Sequence, residues 1–458
     1  MKADIARGFV VIVVGATLIS AVAAAENKSR SESSLKLPKI DRRPAPSVFG
    51  RGEIKTLPKY DPNNPRDPFQ VDLRGFNLSK LDLRTNINDL VHSDFDERTV
   101  WPSRDRMPEG FEPKQIMETG KNPGLGIREL HKKGITGRGV SIAIIDNPLL
   151  VDHQEYVERI RLYEEIGILE LKEAENGHGA DAHMHGAAVV SIAAGKTTGV
   201  APEADVYYIA SWPFVLEKEK AQQSFKTRVQ AVNRILEINQ QLPKNKKIRV
   251  ISMSLGWNPS LNGYKEISEV MQKAKAAGML VICSSTEEIH NFGFNGLGRE
   301  PTVNPDDFNS YRPGTFWAKD FYQRQDGYPL NRLLVPMDSR TTASPTGTNE
   351  YVFYADGGWS WSIPYIAGVY ALAAQVEPNV TPERFWALAM KTGRTIELNY
   401  KGKKIAFGPI LDAAKLIDAL KTGELAKSSE TAAELEKYKI KTAPALIPVD
   451  VNSQKKLR

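Results

Sequence analysis

The 458-residue sequence contains one cysteine, Cys283. A single cysteine excludes an intramolecular disulfide, and its apolar neighbours indicate a small residue buried in a core. Positive charge is only slightly in excess, with 61 lysines and arginines against 55 aspartates and glutamates. These charges are spread along the chain without the concentrated basic patch that nucleic-acid binding uses, so we expect no nucleic-acid partner.

Long apolar runs are also scarce, and the one at the N-terminus covers residues 8–21. Lys2 and Arg7 precede it, and residues 23–25 are all alanine, which is typical of a signal-peptide cleavage site. Residues 1–25 therefore predict export to a secreted or extracytoplasmic location. An uncleaved N-terminal segment that tethers the protein to a membrane is the alternative, because the run is near the shortest length that spans a bilayer.

Composition divides the remainder of the chain into three regions. Residues 26–118 form an N-terminal extension rich in Pro, Lys, Arg, Asp and Asn, which indicates extended, turn-rich chain. A propeptide, an inhibitory segment and a permanent wrapping arm all fit this extension. Residues 119–420 have the patterning of a globular domain, and residues 421–458 form a charged C-terminal tail.

Within residues 119–420, apolar runs of strand length alternate with amphipathic runs of helix length. This alternation predicts an α/β fold with a doubly wound, mostly parallel sheet and helices on both faces. The predicted strands are 140–145, 206–210, 249–253, 279–283 and 333–335. The predicted helices are 187–194, 224–241, 265–277, 363–376 and 382–392. Residues 405–420 are expected to close the domain as a strand and a helix.

Three residues suited to nucleophilic catalysis stand in contexts that would gather them at one site. Asp146 ends the apolar run 140–145, and His185 opens a helix of small residues. Ser360 lies on a glycine-flanked turn, four residues before Pro364. A serine hydroxyl needs a base to take its proton, histidine suits that task, and a buried carboxylate holds the histidine in the correct tautomer. We therefore predict these three roles for Ser360, His185 and Asp146.

Each residue has an alternative interpretation. A lone Asp at a strand end is commonly a turn or helix-cap residue. His178 and His183 compete with His185 for the role of base, and the three could bind a metal ion, but their spacing supplies no fourth ligand and we predict no metal site. Ser362 is the rival nucleophile, although the distance to the following proline favours Ser360.

Two further segments complete a family pattern. Residues 199–204 read Gly-Val-Ala-Pro-Glu-Ala ahead of a predicted strand, and residues 251–256 read Ile-Ser-Met-Ser-Leu-Gly. With the chain order Asp, His, Ser, these segments resemble the subtilase (subtilisin-like serine peptidase) family, as a divergent member. The resemblance covers residues 124–420, about two-thirds of the chain.

The resemblance implies that residues 119–420 are a subtilisin-like peptidase domain. It implies a serine endopeptidase that hydrolyses polypeptides through an acyl-enzyme, with no cofactor. It also implies that Ser254, Leu255 and Gly256 form one wall of the substrate pocket, where backbone groups pair with an extended peptide. Calcium sites are common in the family, and Asp306 with its neighbours is available, but such clusters are usually turns and no calcium site is predicted.

The chain departs from the family pattern at several positions. Thr286 stands where the family has an Asn that donates to the oxyanion, and we predict that the Thr286 hydroxyl helps to hold this charge. Trp359 and Trp361 replace the usual Thr and Met beside Ser360, and they either pack against the core or narrow the cleft. Asn147 follows the predicted catalytic Asp where Thr or Ser is common.

These departures leave rival functions beside the peptidase. One is a catalytically weak or inactive subtilase that binds peptides or proteins, and another is a hydrolase of non-peptide esters. The complete set of predicted triad residues favours an active enzyme. Substrate preference and oligomeric state do not follow from the sequence.

Overall fold

The computed structural model describes residues 39–439, apart from residues 49, 65–68, 169–180, 213, 218–219 and 324–330. The predicted signal peptide, His178 and the last part of the predicted C-terminal tail lie outside the described residues. None of the helices in the described part of the chain combines the length and the apolar character that crossing a membrane requires.

The strands and helices are numbered separately along the described chain. The strands are β1 (Lys39–Ile40), β2 (Gly52–Glu53), β3 (Val71–Asp72), β4 (Phe76–Asn77), β5 (Ser93–Asp96), β6 (Ser141–Asp146), β7 (Ile160–Ile166), β8 (Asp205–Ser211), β9 (Phe214–Glu217), β10 (Lys220–Gln223), β11 (Ile248–Met253), β12 (Leu280–Cys283), β13 (Gly293–Arg299), β14 (Tyr311–Pro313), β15 (Arg332–Pro336), β16 (Arg340–Ala343), β17 (Tyr351–Tyr354), β18 (Arg394–Tyr400) and β19 (Lys403–Ile410). The helices are α1 (Ile87–Leu90), α2 (Pro113–Gly120), α3 (Ile127–Lys132), α4 (Met184–Ala194), α5 (Lys226–Gln241), α6 (Tyr264–Ala276), α7 (Thr286–His290), α8 (Thr315–Gln323), α9 (Trp359–Val376), α10 (Pro382–Thr392), α11 (Ala413–Lys421) and α12 (Ser428–Glu436).

A six-stranded sheet forms the centre of the molecule, in the order β1-β7-β8-β6-β11-β12. Every neighbouring pair in this sheet is parallel. Strand β6 shows how the sequence covers both faces, because its six residues are all buried. Ile142 and Ile144 join a core cluster with residues of α4 and α9, whereas Ala143 and Ile145 join a second cluster with residues of α5 and α6. The predicted doubly wound parallel sheet is confirmed.

The structure contains strands that were not predicted, and it places one predicted strand in another sheet. Strand β7 was not predicted, because Arg161, Glu164 and Glu165 interrupt its apolar pattern. The predicted strand 333–335 is present as β15, but it belongs to a second sheet, in the order β14-β13-β15-β19-β18, rather than to the central one. The apolar run predicts a strand there, whereas the choice of sheet depends on distant partners.

A third sheet combines the N-terminal extension with the rest of the chain, in the order β16-β17-β5-β3. Phe353 of β17 faces Phe95 of β5, and their rings lie 5.1 Å apart. A separate core cluster contains many apolar residues of the extension together with Tyr351, Phe353 and Ala355. The extension therefore shares its hydrophobic core with the strand that leads to Ser360.

The first described segment also lies along the central sheet. Strand β1 pairs with β7, and Arg42 donates two hydrogen bonds to the Glu165 carboxylate at 2.7 and 2.8 Å. Further on, the Ala182 N–H donates to the Ala45 carbonyl at 2.8 Å. This segment therefore reaches the chain just before His185.

Replacing Phe95 by alanine tests the shared core. Phe95 is 1% exposed and contacts Phe353 and Trp101, so its loss should lower the free energy of unfolding by about 3–5 kcal/mol. Chemical denaturation of the Ser360→Ala protein, which avoids self-digestion, measures the change. Val100→Ala is the control, because Val100 is 48% exposed and should shift stability by about 0.5 kcal/mol or less. Unfolding of the extension alone, with the main transition unmoved, would contradict a shared core.

Candidate active site

Asp146 and His185 meet at the carboxyl edge of the central sheet. Asp146 is the last residue of β6, and His185 is the second residue of α4. His185 Nδ1 lies 2.7 Å from Asp146 Oδ1, with 14% of the His185 side chain and 4% of the Asp146 side chain exposed. Since the carboxylate accepts the hydrogen on Nδ1, the other ring nitrogen of neutral His185 keeps its lone pair and can act as a base.

The charge of Asp146 is stabilised by several groups. Burial alone would raise the pKa of Asp146, but His185, Arg228 and a hydrogen bond from the Asn147 N–H hold that pKa below its ordinary value. Arg228 lies on α5 and is itself buried. Its Nε and Nη1 have no hydrogen-bond partner among the described residues, so its effect on Asp146 acts through charge. Sequence reasoning missed Arg228, because helical periodicity does not show which residue faces a distant strand end.

His183 caps the helix that carries His185. Its Nδ1 lies 3.2 Å from the His185 N–H and 3.0 Å from Asn147 Nδ2, and both can donate to it. Burial is the main cause that lowers the pKa of His183 to about 4, and the nearby His185 lowers it further. The His183 ring is therefore neutral. Asn147, at a position where the family commonly has Thr or Ser, thus contacts the His183 ring that caps α4. No cluster of three metal-ligating side chains occurs within the described ranges.

Ser360 lies in the first turn of α9, after Gly358 with φ at +61°. The backbone of this turn is held by other segments, since the Gly357 N–H donates to Asp338 Oδ1 at 3.0 Å. Pro364 has no N–H for the Ser360 carbonyl, and Ser254 Oγ donates to that carbonyl instead at 3.0 Å. Ser254 therefore contacts the predicted nucleophile directly.

The two tryptophans beside Ser360 pack in opposite directions. The Trp361 ring lies 5.5 Å from the His185 ring and 5.4 Å from the Tyr354 ring. The Trp359 ring instead contacts Phe294 and Phe316. Trp361 therefore joins the turn of Ser360 to His185 through ring contact. In the described part of the chain, no hydrogen bond joins Ser360 Oγ to the His185 ring.

Ser362, the rival nucleophile, lies in the interior. Its side chain is fully buried, and its hydroxyl donates to the Pro336 carbonyl at 3.3 Å. Ser360 in the same helix keeps partial exposure. The geometry favours Ser360 over Ser362.

Residues Ser254, Leu255 and Gly256 follow β11 at the same edge of the sheet. The Ser284 N–H donates to the Leu255 carbonyl at 3.0 Å, and a Cβ on Gly256 would lie 2.8 Å from the Ser284 Cβ. The segment thus packs against the residues after β12, and glycine is needed at 256 for that close approach. Its role as a substrate wall stays a prediction.

The structure places the Thr286 hydroxyl away from its predicted oxyanion role. Thr286 is buried, its Oγ1 donates to the Cys283 carbonyl at 2.6 Å, and it accepts from the Cys283 N–H at 2.8 Å. A hydroxyl whose hydrogen is already used inside the turn cannot also donate to a substrate. We therefore do not assign Thr286 to the oxyanion site. Cys283 is fully buried as predicted, and burial raises the pKa of its thiol to about 12.

Comparison with known proteins supports the family suggested by these features. The family model described as the subtilase family matches residues 137–311. The chain is 28% identical over 284 residues to a protein named intracellular serine protease from Paenibacillus polymyxa, which covers 58% of this chain and 77% of that protein. These matches identify the chain as similar to the subtilase family of serine-type endopeptidases, as a divergent member.

Two further proteins are similar to this chain. Subtilisin-like protease PopC of Myxococcus xanthus (strain DK1622) is 30% identical over 272 residues, covering 56% of this chain and 56% of PopC. The solved structure of prenylagaramide maturation protease PagA has a TM-score of 0.42 and 15% sequence identity, covering 65% of this chain and 99% of PagA. The family model ends before Ser360.

A Thr286→Val exchange separates a structural role of Thr286 from a catalytic one. Loss of the hydroxyl leaves the buried Cys283 N–H without a partner, so the free energy of unfolding should fall by about 1–3 kcal/mol. The kcat/KM for a peptide substrate, measured on folded protein, should stay near that of the wild type. Thr286→Ser, which keeps the hydroxyl, is the control and should retain most of the stability. A loss of about 10²-fold in kcat without loss of stability would restore Thr286 to the oxyanion site.

Proposed function

We propose that this subtilase is an endopeptidase in which Ser360 is the nucleophile, His185 the general base and Asp146 the residue that orients His185. The hydrogen bond between His185 Nδ1 and Asp146 Oδ1 supports these roles most directly. Contact of the Trp361 ring with His185 brings the turn of Ser360 to the same place.

The reaction proceeds in two steps through an acyl-enzyme. As Ser360 Oγ attacks the scissile carbonyl, His185 Nε2 takes the hydroxyl proton and then gives it to the leaving amine. Water next attacks the ester on Ser360, His185 takes a proton from that water, and the acid product leaves as Ser360 regains its hydrogen. Asp146 stays ionised throughout and stabilises the imidazolium that forms in each step.

The oxyanion is held by backbone groups in this proposal. The first turn of α9, an 18-residue helix, includes the Ser360 N–H among the groups that its own helix leaves unpaired. The positive end of the helix dipole lies at the same turn. In subtilisin, removal of the side-chain donor of this site lowers kcat by about 10²–10³-fold, so we expect slower turnover here than in subtilases that have that donor.

A second candidate function follows from the inward-facing Thr286. A subtilase without a side-chain oxyanion donor is a candidate for a weak or inactive member that binds extended peptides along residues 254–256. The two candidates differ in whether Ser360 forms a covalent bond with an acylating or phosphonylating reagent.

Labelling with a fluorophosphonate probe tests the nucleophile. The wild-type protein should be labelled, and Ser360→Ala should lose the labelling because the attacking oxygen is absent. Ser362→Ala is the matched control, since the Ser362 hydroxyl is buried against Pro336, and it should still react. Intact mass spectrometry measures the added phosphonyl group. An unlabelled wild type that still binds peptides would favour the peptide-binding candidate, and equal labelling of Ser360→Ala would move the nucleophile elsewhere.

Export and a retained extension complete the proposal. The charged start and apolar run of residues 1–25 support export, with cleavage before Glu26.

The shared core around Phe353 and Phe95 supports an extension that stays with the domain rather than being released. N-terminal sequencing of protein recovered from the native host tests both points, because a mature chain that starts near residue 119 would exclude the retained extension.

A further inference from the structure

A cavity of about 610 Å³ lies at the edge of the central sheet opposite to Asp146 and His185. It is located where β11 and β12 begin, whereas Asp146 is at the carboxyl end of β6. The end of α5, residues 244–249, the end of α6 and residues 378–383 form its walls. Its volume is in the range that small organic ligands occupy. None of the residues that line it takes part in the mechanism proposed above.

Among the described residues, four cationic side chains and one carboxylate line this cavity. Lys247, Arg249 and Lys275 are half-buried, and Lys244 is exposed. The carboxylate is that of Glu383. In the described part of the chain, none of the four cations forms an ion pair with a carboxylate. The cavity therefore carries an excess of positive charge that the protein does not neutralise by ion pairing.

Arg249 is fixed in the wall of the cavity by two backbone carbonyls. Its guanidinium donates to the Pro378 carbonyl and, at 2.7 Å, to the Val380 carbonyl. Its Cζ also lies 5.9 Å from the centre of the Tyr370 ring. The two hydrogen bonds use two of the five N–H donors of the guanidinium. Because a carbonyl group has no net charge, the positive charge of Arg249 remains available to an anion.

The two half-buried lysines contact helix ends and keep further donors. Lys275 Nζ donates to the Ile289 carbonyl at 2.9 Å, in the last turn of α7. Lys247 Nζ donates to the Gln240 carbonyl at 3.1 Å and also to the Asn239 carbonyl, in the last turn of α5. Such contacts stabilise a helix by themselves, but the end of a helix offsets only about half of an elementary charge. An ammonium group has three donors, so both lysines can still donate to a bound anion.

Apolar side chains form another part of the cavity wall, and they indicate what kind of anion fits. Leu236, Met279 and Val380 line the cavity with the cations. A bare inorganic ion would contact the cations and leave this apolar surface uncovered. An anion with an apolar body would contact both kinds of surface and remove the apolar part from water.

We propose that this cavity binds a small organic anion, with a phosphate or carboxylate group held by Lys247, Arg249 and Lys275 and an apolar body packed against Leu236 and Met279. The cavity and the predicted catalytic residues lie at opposite edges of the central sheet. Binding therefore does not depend on the proposed function and is open to measurement in a protein without the Ser360 hydroxyl.

Titration of the Ser360→Ala protein with anilinonaphthalene sulfonate tests the proposal. This ion combines an anionic group with aromatic rings, and its fluorescence rises in surroundings of low polarity, so saturable binding is expected. Arg249→Gln and Lys275→Gln should each raise its Kd about tenfold, because each removes a charged donor. The uncharged analogue phenylnaphthylamine should show no such difference between the variants and the parent.

Two further lysine variants make the result independent of folding. Lys273→Gln is the matched control, because Lys273 is exposed on α6 and does not line the cavity, and its Kd should equal that of the parent. Lys244 is exposed and its side chain makes no hydrogen bond or ion pair with the described residues, so Lys244→Gln should fold normally. Its Kd should rise about threefold. Equal Kd values for the parent, Lys244→Gln and Lys275→Gln would overturn the site.

Displacement of the bound dye identifies the anionic group. Stronger displacement by phenyl phosphate than by phenylacetate would assign a phosphate, and the reverse would assign a carboxylate. Displacement by neither would overturn the organic anion.

Fluorophosphonate labelling separates this site from the active site. Wild-type protein saturated with the dye should still be labelled completely, because the two sites lie at opposite edges of the sheet. A complete block of labelling would place the dye at Ser360 and overturn the inference. A wild type that is unlabelled without the dye would contradict the proposed function alone, and the titrations of the Ser360→Ala protein would still decide whether the cavity binds an anion.

Discussion

Pro364 has no N–H to donate, and the carbonyl that it leaves unpaired in α9 belongs to Ser360. Ser254 supplies the missing donor through its hydroxyl, at 3.0 Å. On the other side of Ser360, the Gly357 N–H is held by Asp338. The position of the proposed nucleophile thus depends on hydrogen bonds with residues that follow β11 and β15, because its own helix cannot provide them. A serine in the middle of a regular helix would have neither this exposure nor these partners.

The same turn is tied to the N-terminal extension. Strand β17 ends two residues before Asp356, and it pairs with β5 of the extension. The Ala355 N–H donates to the buried carboxyl group of Asp94 at 2.8 Å, and Arg74 donates to the Tyr354 hydroxyl. Tyr354 in turn contacts Trp361, whose ring contacts His185. The extension therefore supports the site through packed rings and strand pairing, which explains why so polar a sequence contains a buried apolar cluster.

The sequence predicts the central sheet well, because buried parallel strands are short apolar runs between amphipathic helices. β6, β8, β11 and β12 lie where those runs occur. The order of the sheet and the place of β15 do not follow from the runs, since pairing depends on residues far apart in the chain. Strands β3 and β5 of the extension were also missed, because their polar residues such as Asp94 are satisfied only by distant partners.

The site shows the same limit at the level of single atoms. Spacing and context identified Asp146, His185 and Ser360 as candidates, and the structure brings the first two into hydrogen-bond contact. The resemblance to the subtilase pattern gave Thr286 the position of an oxyanion donor. The direction of its hydroxyl depends on its hydrogen bonds with the Cys283 backbone, and the order of residues in the sequence does not reveal these bonds. Arg228 carries no motif at all and became visible only through its charge near Asp146.

In the proposed mechanism, the inward hydroxyl of Thr286 changes which interactions would stabilise the transition state. The developing negative charge would then depend on backbone N–H groups at the start of α9. Such groups are more effective where water is excluded, because charges interact more strongly in surroundings of low polarity. Trp361 covers one side of His185, and Trp359 packs with Phe294 and Phe316 beside the same turn. The two indoles therefore cover apolar surface on both sides of this turn, and the partly exposed Ser360 lies between them in the sequence.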